Sequence, residues 1–442
     1  MKVPIKDPKF AYITNYLWLP KACISEDQLN KDLRFVVSER GGIRAVIHTL
    51  WHDCGSHYRV PRQYPVPDGV QVIDLRPTRF EPLHIESTVT SFLDDRQQRA
   101  WEALKGAKEG ILKLSCGGGK TVLALKKAIE NNGPVIVIFN DTGLMGQWET
   151  EVRKHTTYTG PIGIIQRGIC DWTKPIVFAS IRTLINRRQL PVEARTRFKT
   201  VIFDEAHHCP ASVLKQVLGI FWGDRICLTA TPERADMMER LLYLHAGPIF
   251  FEDTTPPMKP RVYFKRTPVK ISMWSPKVRG YGGDLNYQGV IDALSHDDVR
   301  NQIIIDEVEK ARRHGRKILV ITNLLSHVKL LTDKIPGAHS LTGRDPQNVR
   351  HLIFKKYQVV VAIRQVGQEG LDAKDLDTVI FAFPTKRKAT FDQIAGRALR
   401  AMEGKNIPVI VILDDVEVPP MFHICKSLRR QLDIEGVDYS II

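Results

Sequence analysis

Three consecutive glycines followed by a lysine and a threonine, Gly117-Gly118-Gly119-Lys120-Thr121, constrain this chain more than any other segment. They lie between an apolar run, Ile111-Leu-Lys-Leu114, that reads as a strand and a helical pattern beginning near Thr121. Strand, glycine loop and helix in that order make a phosphate cradle. Gly117, Gly118 and Gly119 let backbone N–H groups approach phosphate oxygens, Lys120 supplies a point charge, and Thr121 offers a hydroxyl to magnesium. Leu114 stands where the longer form of the motif has its first glycine. The competing reading is a glycine-rich turn that binds nothing, and one motif alone does not remove it.

The surroundings favour the cradle. From Leu112 to Leu228 short apolar runs alternate with helical patterns, and runs such as Val135-Ile-Val-Ile-Phe139 are continuous rather than alternating. Continuous apolar strands suit a parallel sheet covered on both faces. A second block of the same kind runs from Arg316 to Asp414. The expected fold class is therefore α/β, with two tandem doubly wound parallel-sheet domains and a small N-terminal α+β module. The boundaries expected are an accessory, DNA-binding module at 1–85, a first domain at 86–253, a linker with a basic and aromatic hairpin at 254–290, and a second domain at 291–442.

Val201-Ile-Phe-Asp-Glu205 places two carboxylates at the end of an apolar strand, where open α/β sheets bind ligands. Asp204 is expected to hold magnesium, through a water or directly, and Glu205 to orient and deprotonate an attacking water. A solvated acidic turn is the bland alternative, and it loses weight once the glycine loop precedes it in the same block. The formal net charge of +15 favours a polyanionic partner. Seven scattered cysteines, the absence of a secretory pattern and of any apolar run long enough for a bilayer point to a soluble chain in a reducing cytoplasm, with no membrane partner. His48, His52, Cys54 and His57 have a spacing zinc could use, but no second pair with finger spacing follows, so scattered polar residues are the favoured reading.

With these motifs in place, the chain resembles a superfamily 2 helicase of the DEAH-box kind, over Leu93 to Tyr439, and within it the UvsW, XPB and RecG groups and the branch-migration helicases of tailed bacteriophages. That resemblance implies two RecA-like domains and ATP with Mg2+ as cofactors. It places Gln97 where the family's adenine-reading glutamine stands, with Arg96 in place of an aromatic. His207, Thr229 and Thr231 align with residues that couple hydrolysis to motion, and Gln147, Ser180 and Arg182 with nucleic-acid contacts. Gly370 and Asp372 align with a motif touching both nucleotide and nucleic acid, although Ile363 replaces a common threonine. Gln393, Arg397 and Arg400 form a full QxxGRxxR, which in the family brings arginines to the γ-phosphate.

The function implied is a monomeric ATP-dependent DNA helicase or translocase moving 3′ to 5′ on single-stranded, forked or four-way DNA. The segment from Lys259 to Tyr287, with Tyr263, Phe264, Trp274 and Tyr281 among basic residues, is the candidate strand-separating wedge, against the commoner reading of an ordinary domain edge. An RNA helicase and a nucleotide-switched duplex remodeller stay open as alternatives.

Overall fold

The computed structural model describes residues 7–442 other than 40–43, 93, 116, 141, 188–189, 206–210, 230–237, 254, 256–257, 280–283, 369–372, 374, 386–387, 400–403 and 435. Within some helices and strands the backbone alone is described. Two compact units divide the chain, the first comprising Met1–Ser115 and Gly119–Thr254, the second built on Thr255–Ile442.

The first unit is organised on an eight-stranded sheet. Its order is Ile169–Cys170, Gly163–Gln166, Ile176–Ser180, Val135–Phe139, Thr200–Asp204, Asp224–Thr229, Gly110–Leu114 and Ile249–Asp253, parallel throughout except for the short outer Ile169–Cys170 strand. Successive side chains alternate between two cores, as a pleat of period two requires. Ile111, Ile136, Ile138, Val201 and Phe203 enter one core, and Leu112, Val135, Val137, Ile202 and Leu228 the other. Helices cover both faces, which is why these strands are apolar on both sides.

The second unit repeats the plan with seven parallel strands, in the order Ala338–Leu341, Val359–Ile363, Ile318–Thr322, Thr378–Phe381, Val409–Asp414, Arg261–Arg266 and Tyr439–Ile441. Leu319, Ile321, Val360 and Phe381 face one core, while Ile318, Val320, Val359 and Ile380 face the other.

The structure corrects one expectation. Arg261–Arg266 is not part of a linker hairpin but a strand inside the second sheet, paired in parallel with Val409–Asp414 and Tyr439–Ile441. The second domain thus begins well before residue 291. Phe264 is completely buried and Val262 nearly so, which removes Phe264 from any strand-separating surface. Beyond this strand the chain forms an irregular loop anchored by buried Val269 and Val278, from which Trp274 projects.

The N-terminal residues form a five-stranded sheet in the order His52–Asp53, His57–Val60, Leu17–Pro20, Ala11–Ile13 and Val72–Asp74, with a separate two-stranded ribbon, Arg34–Glu39 and Arg44–Thr49. Its core is not separate. Leu17, Leu19, Tyr58 and Val60 belong to the same apolar cluster as Leu218, Phe221 and Leu242. Buried arginines complete the junction. Arg62 donates to the carbonyls of Trp222 and Gly223, each at 2.8 Å, and pairs with Glu109 at 2.6 Å. Arg225 donates to the carbonyls of His245 at 2.7 Å and Asn15 at 2.5 Å. Burial, reinforced by nearby Arg62, pulls the Arg225 guanidinium down to about 9. Trp222, Gly223 and Glu109 immediately precede parallel strands, so the N-terminal sheet is fixed at the end of those strands opposite the glycine loop. The His57 ring is engaged within this sheet, 2.9 Å from both Ser56 Oγ and the Phe10 carbonyl oxygen. Among the described residues no helix is long and apolar enough to cross a membrane.

Candidate nucleotide site

The Gly110–Leu114 strand delivers the glycine loop, and the helix Lys120–Glu130 starts directly behind it with Gly119 as N-cap. Gly119 has φ +84° and Gly117 φ +80°, the left-handed region that favours glycine. A Cβ on Gly119 would also overlap the Gln97 side-chain amide. Gly118 is buried, Gly117 is exposed and Thr121 is half-buried in the first helical turn. Lys120, 8 % exposed, folds back over the loop: its Nζ donates to the Leu114 carbonyl at 2.9 Å and lies 4.0 Å from Glu205 Oε1. A Gly119→Ala variant is therefore expected to weaken ATP binding by about tenfold or more, because a non-glycine residue in this backbone region costs about 1–2 kcal/mol before the Gln97 clash is added. Titration with a fluorescent ATP analogue reads this, and unchanged affinity would mean that the loop does not hold the phosphates.

Asp204 and Glu205 end the Thr200–Asp204 strand, one strand away from the glycine-loop strand; between them lies Asp224–Thr229, whose last residue, Thr229, is buried. Trp148 Nε1 donates to Asp204 Oδ2 at 2.8 Å. Burial raises the Asp204 carboxyl to about 7, and the adjacent Glu205 charge adds to this. A divalent cation bound there would hold the carboxylate ionised. Glu205 adopts φ +50°, rare for a non-glycine residue, so its backbone is strained where the carboxylate leaves the strand. Glycine cradle, buried lysine and buried aspartate fit a nucleotide triphosphate with magnesium.

Gln97 reaches the loop by a traceable route. The segment after the N-terminal sheet runs along the first unit, with Leu83 N donating to Asn132 Oδ1 at 2.9 Å and Thr88 N to the His155 carbonyl at 3.0 Å. Asp94 then caps the helix Asp95–Gly106 by accepting from Gln97 N at 2.8 Å, which puts Gln97 in the first turn. Arg96, where the family motif has an aromatic, donates to Asp94 Oδ2 at 3.1 Å and Ser115 Oγ at 3.3 Å. It ties the helix start to the glycine loop.

Residues 86–234 match the family described as type III restriction enzyme, res subunit, and residues 299–402 match the helicase conserved C-terminal domain. The chain belongs to the superfamily 2 helicases. Members are ATP-dependent nucleic-acid enzymes, and this helicase has similar relatives in viruses and archaea. It is 24% identical over 437 residues to a protein named as an ATP-dependent RNA helicase of Acanthamoeba polyphaga mimivirus, covering 94% of this chain and 82% of that one. It is 26% identical over 366 residues to the DNA 3'-5' translocase XPB2 of Sulfurisphaera tokodaii, covering 72% of this chain and 81% of that one. Across the first curated relatives the share of their length that the helicase spans runs from 82% down to 66% and 52%. An HsdR-subunit fragment of a type I restriction enzyme from Vibrio vulnificus shares the fold, with TM-score 0.54, 18% identity and coverage of 78% and 68% of the two chains.

The first unit of the helicase thus brings Gln97, Gly119, Lys120, Thr121, Asp204, Glu205 and Thr229 to one end of its sheet, and Gly117 and Gly118 directly precede Gly119 in the chain. Ser180 ends the Ile176–Ser180 strand and Arg182 follows it at the same end. Ser180 is buried, so Arg182 is the member of this pair that faces solvent. Gln147 is half-buried beside Trp148 on the Leu144–His155 helix. Gln393 and Arg397 lie on the Lys388–Ala398 helix of the second unit, where the backbone alone is described. His207, Thr231, Tyr281, Gly370, Asp372 and Arg400 lie outside the described residues. Sequence reasoning missed the bond from Trp148 to Asp204. A buried indole N–H needs an acceptor, and that signal could have found it.

Proposed function

We propose that this chain is an ATP-driven DNA helicase or translocase moving 3′ to 5′ on forked or branched DNA in the cytoplasm, with the glycine-loop site of the first unit as its motor. The observation that carries the reading is the convergence of Lys120, Glu205 and buried Asp204 at one end of the first unit's sheet. Magnesium held by Thr121 and Asp204 would supply charge neutralisation at the β- and γ-phosphates. Lys120 binds and orients the γ-phosphate, and the backbone N–H groups of Gly117 to Thr121 hold the rest of the chain of phosphates. Glu205, poised on a strained backbone, orients the attacking water and takes its proton. Arg397 and Arg400, with Gln393, are assigned to stabilising charge on the transferring phosphoryl group when the domains close, which makes hydrolysis conditional on conformation. Thr229 sits between the two strand ends and is suited to relay the change, with His207 and Thr231.

DNA as substrate is supported by the name of the archaeal relative and by the net charge of +15. Phosphate contacts through groups such as Arg182 would carry no sequence code. Trp274, 79% exposed and 4.2 Å beneath the Arg279 guanidinium, is the remaining candidate for stacking on a base; such stacking contributes about 1–3 kcal/mol per base. The RNA reading is favoured by one observation, the name of the mimivirus relative.

The test is the steady-state ATPase rate with single-stranded DNA, duplex, a four-way junction and single-stranded RNA, at fixed salt because phosphate contacts are salt-dependent. The greatest stimulation is expected with forked or four-way DNA. Stimulation by RNA alone would transfer the assignment to RNA, and no stimulation by any nucleic acid would replace the motor by a nucleotide-switched binder.

A further inference from the structure

A buried polar brace in the second unit holds the carbonyls of residues 382–384, shortly before the Lys388–Ala398 helix. Asp297 caps the helix Asp298–Arg313 by accepting from Arg300 N at 2.8 Å, which sets Arg300 in its first turn. The Arg300 side chain is completely buried. Its Nε and Nη2 donate to the two carboxylate oxygens of Asp415 at 2.9 and 3.0 Å, and Nη2 also donates to the Ala382 carbonyl. Asp415, equally buried, accepts from Thr267 Oγ1 at 2.7 Å. The guanidinium carbon lies 4.4 Å from the centre of the Phe383 ring.

Arg364, first residue of the short helix Arg364–Gln368, holds the same segment, its Nη2 donating to the carbonyls of Phe383 and Pro384, both at 3.0 Å. His327 packs edge-on against Phe383, with ring centres 5.7 Å apart. Its ring nitrogens lie 2.6 Å from Thr322 Oγ1 and 2.8 Å from Asn301 Oδ1. Burial lowers the imidazole to about 3, so it stays neutral and adds no charge beside Arg300.

Three consecutive carbonyls, 382 to 384, are therefore clamped by two guanidinium groups. A fully buried guanidinium is costly unless hydrogen-bonded and paired, and a hydrophobic turn could be held by apolar packing alone. What the clamp adds is direction, because planar, multiply bonded groups resist tilting of the turn in a way that greasy contacts do not. In the chain these carbonyls come shortly before the helix Lys388–Ala398, which carries Gln393 and Arg397. Arg364 stands in the same sequence motif as Gly370 and Asp372, a few residues before them.

We infer that Arg300 and Arg364 are positioning residues for ATP hydrolysis, setting the orientation in which the Lys388–Ala398 helix presents Arg397. The inference rests on the arginine assignment made under the proposed function. The experiment uses the full chain with three substitutions: Arg364→Met, which strands no buried carboxylate; the pair Arg300→Met with Asp415→Leu, which removes a buried ion pair together; and Arg397→Ala as reference. At saturating single-stranded DNA, the two brace variants are expected to lose about tenfold or more in kcat, with the KM for ATP and the DNA affinity within about twofold, since small misplacement of a transition-state group has that signature. Unchanged kcat in both brace variants beside an inactive Arg397→Ala would overturn the brace alone. Full turnover by Arg397→Ala would overturn the arginine assignment and the brace with it. A parallel collapse of kcat, ATP binding and DNA affinity would mark the network as merely structural and also overturn it.

Discussion

Lys120→Ala is expected to lose ATP turnover by about 10²–10³-fold or more while keeping its affinity for single-stranded DNA, since a preorganised charge aimed at a transferring phosphoryl group acts mainly on the chemical step. The geometry explains why the loss should be local. Lys120 Nζ is held by the carbonyls of Leu114 at 2.9 Å and Ser115 at 3.4 Å, both belonging to the strand end and its loop. Alanine suits the first position of the Lys120–Glu130 helix at least as well as lysine does. Phosphate release and fluorescence anisotropy with a labelled oligonucleotide would be measured on the same preparation. Turnover within a factor of a few of the parent would remove Lys120 from the site.

The second large effect is on stability. Arg62→Ala is expected to lower the free energy of unfolding of the first unit by about 3–5 kcal/mol, the usual consequence of removing one partner from a buried charge network. Arg62 and Glu109 are 2% and 7% exposed at their side chains, and Arg76 bonds the same carboxylate at 2.5 Å. Truncation would also strip the Trp222 and Gly223 carbonyls of their donor. Urea unfolding followed by tryptophan fluorescence reads the change. A loss below about 1 kcal/mol would show that the apolar cluster around Leu17, Leu218 and Phe221 holds the N-terminal sheet unaided.

The parts legible in the sequence are those in which chemistry and local structure share one short segment. Gly117 to Thr121 and Asp204-Glu205 carry their own strand ends with them, so their placement follows from the strand pattern. Trp148 and Asp204 are 56 residues apart, and Arg62 and Gly223 are 161 apart; such pairings arise only when the sheet order is known. The misreading of Arg261–Arg266 has a physical cause as well. With Val262 and Phe264 inward and Arg261 exposed, one strand from the sheet edge, it alternates like a solvated hairpin although it is covered on its apolar side. Its neighbours Pro260 and Pro268 strengthen the impression of a linker. Arg300 escaped notice because a lone arginine in a helical pattern reads as surface.

The N-terminal sheet is welded to the ends of the strands that point away from the glycine loop, about five residues or roughly 16 Å from it at strand spacing. Whatever grips that sheet is carried as a passenger. A load attached there would ride with the first unit through every turnover, and its attachment would have no reason to loosen when nucleotide comes or goes. That makes the N-terminal sheet a place to fasten cargo, a surface or a probe without stalling the engine.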